Sequence, residues 1–186
     1  MGKAKISPNR GFSWRFRLIF HIMPFMIEFR SVTPADVAFL HSLIIESAEE
    51  GNARLEVTTT PEKLLADGFG SHPAFEAVLA WDLGAPVGFA LWFPMYSSWK
   101  GKRTLYLEDL FIRPFWRKRG LAKLLFRQVE KMALDGASNL AWECDRDRLN
   151  LRHFFVGMGA IDRASKISFY MEESDMRAHI QDSMSI

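Results

Sequence analysis

The sequence predicts an α/β (α+β) domain: a mixed, mostly antiparallel central sheet of six to seven strands with flanking helices. Three observations carry this expectation. Strand-length apolar stretches interleave with stretches whose apolar residues recur at helical spacing, in the order β-α-α-β-β-β-α-β-α-β. The middle strands are joined by short links, which makes them antiparallel, whereas a helix separates the fourth strand from the fifth, as a parallel crossover requires. Finally, 48% hydrophobic and 25% charged residues over 186 positions suit one domain large enough to bury its own core.

The elements follow in order. "MIEFR" (26–30) reads as a strand. "TPADVAFLHSLIIESAEE" (33–50) is a helix with Thr33 as cap, Pro34 at the first helical position and Asp36 at the third; Val37, Leu40, Leu43 and Ile44 share one face. "TPEKLLADG" (60–68) repeats the Thr-Pro start and ends at Gly68, so it is a second, short helix. "AFEAVLAWD" (74–82) and "PVGFALWFPM" (86–95) are strand-like, and the "LGA" between them predicts a hairpin. "RTLYLEDLFIRP" (103–114) is a strand stopped by Pro114. In the next helix Leu121, Leu124, Leu125, Val129 and Met132 form one stripe, closed by Gly136. "NLAWEC" (139–144) is a strand, "DRLNLRHFFVGMG" (147–159) a helix ending in glycine, and "KISFYME" (166–172) the last strand. The expected domain spans 26–175, followed by a polar tail, 176–186, that frays.

Residues 1–25 are expected to lie outside the domain. Lys3, Lys5, Arg10, Arg15 and Arg17 precede any acidic residue, and "LIFHIMPFMI" (18–27) is a short apolar run. A signal peptide looks roughly like this, but no small-residue cleavage site follows, and His21 and Pro24 interrupt the run. The simplest account is a dispensable extension, or a true start at Met23 or Met26; a transit peptide is the alternative.

Composition removes several function classes. A net charge of +2 supplies no global field for nucleic acid. No apolar run reaches the ~18–20 residues of a membrane span, so neither nucleic acid nor membrane is an expected partner. The single cysteine, Cys144, excludes an internal disulfide framework and a Cys-based metal site, and fits a reducing, cytoplasmic setting. No His–Cys pattern makes Cys144 a nucleophile, so a buried structural role is expected. The five histidines (21, 41, 72, 153, 179) show no metal spacing. The six Trp and 16 Phe fall mainly in strands and helix faces, as core residues do.

Two stretches carry chemistry. "RKRGLA" (117–122) opens a helix with no Ser, Thr, Asp or Asn as cap and with three cations at the end of the dipole that disfavours them. A helix start offers unpaired N–H groups and partial positive charge, which suits an anion. A diphosphate would supply the missing acceptors. Gly120 would let it approach, and Arg117, Lys118 and Arg119 would become charge partners. On spacing alone, a surface turn with solvated cations accounts for the motif equally well. "YLED" (106–109) places two carboxylates side by side. Strand neighbours face opposite sides, so Glu108 and Asp109 share a pocket only if the strand bulges; otherwise one is a surface acid and the other a salt-bridge partner.

"RxxGxA" after a strand and at the head of a helix resembles the acetyl-CoA signature of the GNAT N-acetyltransferases. "LLADGFGSHP" (64–73), "PVGFALWF" (86–93), "WKGKRTLYLEDLFIRPFWRKRGLAKLL" (99–125) and "NLRHFFVGMGA" (150–160) resemble the diamine (spermidine/spermine-type) acetyltransferase branch, over about residues 27–170. The resemblance implies the GNAT fold, with its fourth and fifth strands splayed into an acetyl-CoA cleft. It implies that the pantetheine arm pairs with the backbone of Leu110, Phe111 and Ile112. The diphosphate would sit on the N–H groups of Arg117, Lys118, Arg119, Gly120, Leu121, Ala122 and Lys123. It also implies a bulge at "YLED", with Glu108 the general base through a water and Asp109 an anchor for the substrate amine. An alkyl amine, with a pKa near ~10.4, arrives as a cation. Carboxylates attract it, and one must help remove a proton before the amine attacks the thioester; such help is worth ~10²–10⁴-fold. Glu46, Glu49 and Glu50 either extend that acidic lining or form a solvated helix end.

The expected activity is therefore direct transfer of acetyl from acetyl-CoA to a primary amine of a small molecule: a polyamine, a diamine or an amino-acid-like amine. Acetyl-CoA is the co-substrate, no metal is expected, and the resemblance implies a homodimer, with which the aromatic stretch "WFPMYSSW" (92–99) is compatible. Two departures qualify the match. Phe155, at the CoA-facing position four before Gly159, stands where the superfamily often has a Tyr that donates a proton to the departing sulfur. The aromatic residue that the branch carries in its last strand is missing near Ile167. The first departure leaves a low-activity acyl-CoA sensor as an alternative, beside a protein N-acetyltransferase.

Overall fold

A computed structural model describes residues 17–22, 25–137, 139–163 and 171–177. The chain divides into two compact units, Met1–Glu143 and Cys144–Ile186, each taken by itself.

The first unit holds a six-stranded sheet in chain order: β1 (Arg17–Ile22), β2 (Phe25–Ser31), β3 (Glu76–Asp82), β4 (Ala85–Ser97), β5 (Lys102–Ile112) and β6 (Asn139–Ala141). Every neighbouring pair is antiparallel except β5–β6, which is parallel. The crossover between those two is α3 (Leu121–Gly136). Two further helices, α1 (Val37–Glu50) and α2 (Pro61–Phe69), lie between β2 and β3.

Local chemistry sets the boundaries. The Asp36 carboxylate accepts from the Thr33 N–H at 3.0 Å and from its hydroxyl at 2.6 Å, closing a capping box over the 3-10 turn Pro34–Asp36 that leads into α1. The Thr60 hydroxyl accepts from the Lys63 N–H at 3.2 Å, with Pro61 at the first position of α2. The expected hairpin turns on Leu83 and Gly84, both at positive φ (47° and 83°), between the paired Asp82 and Ala85. Positive φ at both central residues is the combination that matches the twist of the flanking strands.

Both faces of β4 are covered, since residues 86–92 are buried without a break. One core joins Leu40 and Leu43 of α1 to Ala77, Leu79, Trp81, Phe89, Leu91 and Phe111 of the sheet. α3 buries Leu121, Leu125, Phe126, Val129 and Ala133 and packs on β5 and β4; of the expected stripe Leu124 and Met132 are only half-buried, and Phe126 and Ala133 take their place in the core. Phe126 meets Trp142, just after β6, edge-on at 5.1 Å.

Three expectations change. Arg17–Ile22, assigned by composition to an extension outside the domain, forms β1, in register with β2 from Arg17↔Arg30 to Ile22↔Phe25. The apolar run that resembles a leader also has the composition of a strand, and the edge of β2 offers it backbone partners. β6 ends at Ala141 rather than Cys144. Cys144 is exposed rather than buried, because the strand expected to bury it has already ended.

In the second unit α4 (Leu149–Gly157) buries Phe155, which meets Phe154 edge-on at 5.2 Å. The Phe155 carbonyl accepts from the N–H groups of Met158 and Ala160, at 3.0 and 3.1 Å, ending the helix just before Gly159 (φ 94°). Arg152 donates to Asp162 at 2.6 Å. Most of the last expected strand, 166–172, lies outside the described residues, and Met171 and Glu172 are not in a strand. Residues 1–16, and 178–186 of the polar tail, also lie outside them.

Candidate functional site

The site is organised by the end of β5. Along one edge β5 pairs with β4 as far as Ile112; along the other it pairs with β6 only from Thr104 to Tyr106. Beyond Tyr106 this pairing stops, because β6 itself ends at Ala141. The stretch Leu107–Ile112 thus keeps one edge on β4 while its other edge has no partner in β6.

The bulge sits just beyond the end of the β5–β6 pairing. Trp92 pairs with Leu107 and Leu91 with Asp109, so β5 advances two residues while β4 advances one, and Glu108 is the extra residue. A bulge re-aims a side chain and breaks strict alternation. Glu108 is exposed and Asp109 half-buried. Burial, and then the Glu108 charge beside it, push the Asp109 carboxyl up to about 6. Tyr106, half-buried and stacked obliquely on Phe93 at 5.2 Å, is also raised above its ordinary value, first by burial and then by the charges of Glu143 and Glu108. A perturbed carboxyl and a perturbed phenol, both raised first by burial and then by neighbouring carboxylate charge, therefore stand near the end of the β5–β6 pairing. Such a grouping suits a site for a cationic amine.

Of the donor-side residues, Leu110 is half-buried and Phe111 and Ile112 are buried. Gly88 lets β4 approach them closely: a Cβ there would lie 2.6 Å from both the Phe111 carbonyl oxygen and Ile112 Cδ1. After Ile112 a 3-10 turn, Pro114–Trp116, leads to the head of α3. Gly120 caps α3 in the left-handed region (φ 80°) with no side-chain hydrogen bond at the cap, as "RKRGLA" implied. Lys118 is left-handed too, at φ 58°, a conformation that a non-glycine residue holds only at some cost. Leu121 is buried in the core, Ala122 is half-buried and Lys123 exposed. Phe155 belongs to the second unit.

The charged side chains of the turn are not arranged as expected. The Arg117 guanidinium donates to the Ile112 carbonyl at 2.6 Å and to both oxygens of Glu50 at 2.6 and 2.5 Å. Arg119 lies 4.9 Å from the centre of the Phe115 ring. Arg113 donates to both oxygens of Glu46 at 2.7 and 2.5 Å and to the Pro86 carbonyl at 2.6 Å; the hydrogen bond to Glu46 raises its pKa. Glu46 and Glu50 are thus taken up by arginines, and Glu49 lies 3.7 Å from Arg54. They are neither an acidic lining nor a freely solvated helix end. The two Arg–Glu forks were not legible beforehand: each spans 67 residues of sequence. The one available signal is that both the acids and the arginines stand four residues apart.

Comparison with known proteins agrees with this arrangement. Residues 38–160 match the family model described as acetyltransferase (GNAT) family. The bovine thialysine N-epsilon-acetyltransferase is 35% identical over 123 residues, 61% of this chain and 72% of that protein. The mouse protein of the same name is 30% identical over 162 residues, 80% of this chain and 94% of that one. Among solved structures, an integron cassette protein from the mobile metagenome of V. cholerae superposes with a TM-score of 0.69 at 18% identity, covering 83% of this chain and 98% of that one. That likeness speaks for the fold alone.

Proposed function

This chain belongs to the acetyltransferase (GNAT) family, and on that footing we propose that it transfers acetyl from acetyl-CoA directly to the primary amine of a small molecule. The family match runs from α1 through α4, which supports an acetyltransferase domain that takes in β1 as well as residues 26–175. The diamine branch whose motifs the sequence carries is the one its curated relatives represent. The acceptor those relatives are named for, thialysine, favours an amino-acid-like amine over a polyamine.

The observation that carries the reading is the bulge at Glu108 beside the end of the β5–β6 pairing. It brings acidic groups beside the stretch Leu110–Ile112 of β5, whose edge away from β4 is not paired with β6. In the proposed step Asp109 holds the ammonium, and Glu108, through a water, takes a proton from it. The neutral nitrogen forms a bond to the acyl carbon, the carbon–sulfur bond breaks, and the second proton of the acylated nitrogen passes to solvent. Backbone N–H groups near Leu110–Ile112 stabilise the charge that develops on the acyl oxygen. The N–H groups of residues 118–123 hold the diphosphate; that of Arg117 donates to the Pro114 carbonyl. Phe155 has no proton to give, so the sulfur leaves as thiolate; with a free thiol titrating near ~8.5 this slows release rather than preventing it. The single cysteine supports a cytoplasmic setting. No helix among the described residues is long and apolar enough to cross a membrane. Exposed Met95, Tyr96 and Trp99 support a homodimer through the β4–β5 end, which light scattering of the purified chain would test.

The decisive assay follows CoA release from acetyl-CoA with thialysine, ornithine, spermidine and an aminoglycoside as acceptors. Release that depends on one of these amines supports the reading. Tight binding of acetyl-CoA with no release for any amine overturns it in favour of an acyl-CoA sensor, the alternative that Phe155 favours.

A further inference from the structure

The head of α3 is held by side chains that the chemistry above does not use. Arg113 and Arg117 bracket the turn between β5 and α3, and Glu46 and Glu50 stand one helical turn apart on α1. Each arginine makes the same double attachment: a two-pronged fork onto a carboxylate of α1, plus a bond to a backbone carbonyl at a strand end, Pro86 for Arg113 and Ile112 for Arg117. A third tether lies between them. Trp116 Nε1 donates to Asp82 at 3.0 Å, and the other oxygen of that buried carboxylate accepts from the Met26 N–H at 3.2 Å. The turn is therefore fixed at residues 113, 116 and 117. The next residue, Lys118, takes the costly left-handed conformation, and Gly120 follows in the same region. A non-glycine residue stays there only where its surroundings impose it.

We propose that the forks Arg113–Glu46 and Arg117–Glu50 are positioning elements for the acyl donor: they hold the turn so that the N–H groups of residues 118–123 already converge before a diphosphate arrives; the Arg117 N–H itself closes the 3-10 turn onto the Pro114 carbonyl at 3.2 Å. The proposal rests on the acetyl-CoA reading. It inverts the simplest role for Arg117, whose guanidinium serves α1 and Ile112 rather than the ligand. Fork geometry of this kind fixes direction as well as distance, which a lysine cannot reproduce.

The test compares acetyl-CoA with S-acetylpantetheine, a donor lacking the diphosphate, in the full chain with Glu50→Gln, Arg117→Lys, Arg117→Glu and the exchange Glu50→Arg with Arg117→Glu. Both fork residues are partly exposed, so folding of the variants is expected, and thermal melts check it. The single variants should raise KM for acetyl-CoA about fivefold, the scale of one well-formed ion pair, with a much smaller change in kcat. KM for S-acetylpantetheine should stay near wild type, and the exchange should recover most of the loss. Equal losses with both donors overturn the proposal, because a general structural weakening would do that. An exchange as weak as Arg117→Glu alone also overturns it, because the arginine would then be touching the diphosphate itself. If the wild-type chain binds acetyl-CoA and no variant changes KM, this proposal alone falls. If the wild type binds no acetyl-CoA, the functional reading falls and takes the proposal with it.

Discussion

Glu108 and Asp109 are adjacent in sequence, yet only Asp109 has a partner across the β4–β5 ladder, Leu91; Glu108 is the residue that the bulge inserts. In a regular strand the two carboxyls would lie on opposite faces. Here Glu108 is close enough for its charge to help raise Asp109 to about 6. Glu108 is exposed to water, while the half-buried Asp109 holds its charge in poorer solvation.

From this, Glu108→Gln should cut turnover at neutral pH by ~10²–10⁴-fold, the usual worth of a general base. Acetyl-CoA affinity, measured by calorimetry, should stay close to wild type. Turnover that survives the change would show that the base lies elsewhere.

The raised Asp109 pKa also predicts how stability varies with pH. The folded chain holds this proton more tightly than the unfolded chain, whose carboxyl titrates near 3.8. The contribution to stability is fully present below that value and is lost as pH rises through about 6. Asp109→Asn removes this dependence. Its melting temperature should therefore gain on wild type as pH is raised across that window and hold the gain at neutral pH. Parallel curves for the two proteins would count against a perturbed carboxyl.

Gly88→Ala should destabilise the chain. The added methyl meets the Phe111 carbonyl oxygen and Ile112 Cδ1 at 2.6 Å, and the backbone atom cannot swing away. Overpacking of this kind costs ~1–3 kcal/mol, visible as a lower melting temperature. Because Phe111 and Ile112 lie on the proposed donor edge, KM for acetyl-CoA should rise as well.

Gly120→Ala isolates the backbone term. Nothing lies within 4 Å of the added carbon, so there is no clash, but φ is 80°. The strain of a left-handed alanine, ~1–2 kcal/mol, should appear as lost stability together with weaker acetyl-CoA binding. A variant as stable as wild type would mean that the turn relaxes.

Much of the fold is legible because its signals are local. Thr33 and Thr60 announce their helices by cap chemistry, Gly84 supplies the positive φ of a two-residue hairpin, and the stripe Leu121–Leu125–Val129 faces the core at helical period. The N-terminal strand escaped because an apolar run behind basic residues reads the same whether it is a leader or an edge strand. Only a partner edge, that of β2, separates the two. Cys144 was misjudged for a related reason: a strand end is set by where pairing with β5 stops, and no residue near Ala141 signals it.

By itself the sequence determined the order and type of the elements, the uncapped glycine at the head of α3, and the presence of two adjacent acids in a strand. Those are consequences of neighbouring residues and of backbone preference. Only the tertiary structure decided that Glu108 is the bulged residue and Asp109 the perturbed one, and that Glu46 and Glu50 hold Arg113 and Arg117 rather than face a substrate. Charge has no period to read. Which carboxylate is buried, paired or free depends on what distant segments bring beside it, and here the partners stand 67 residues away.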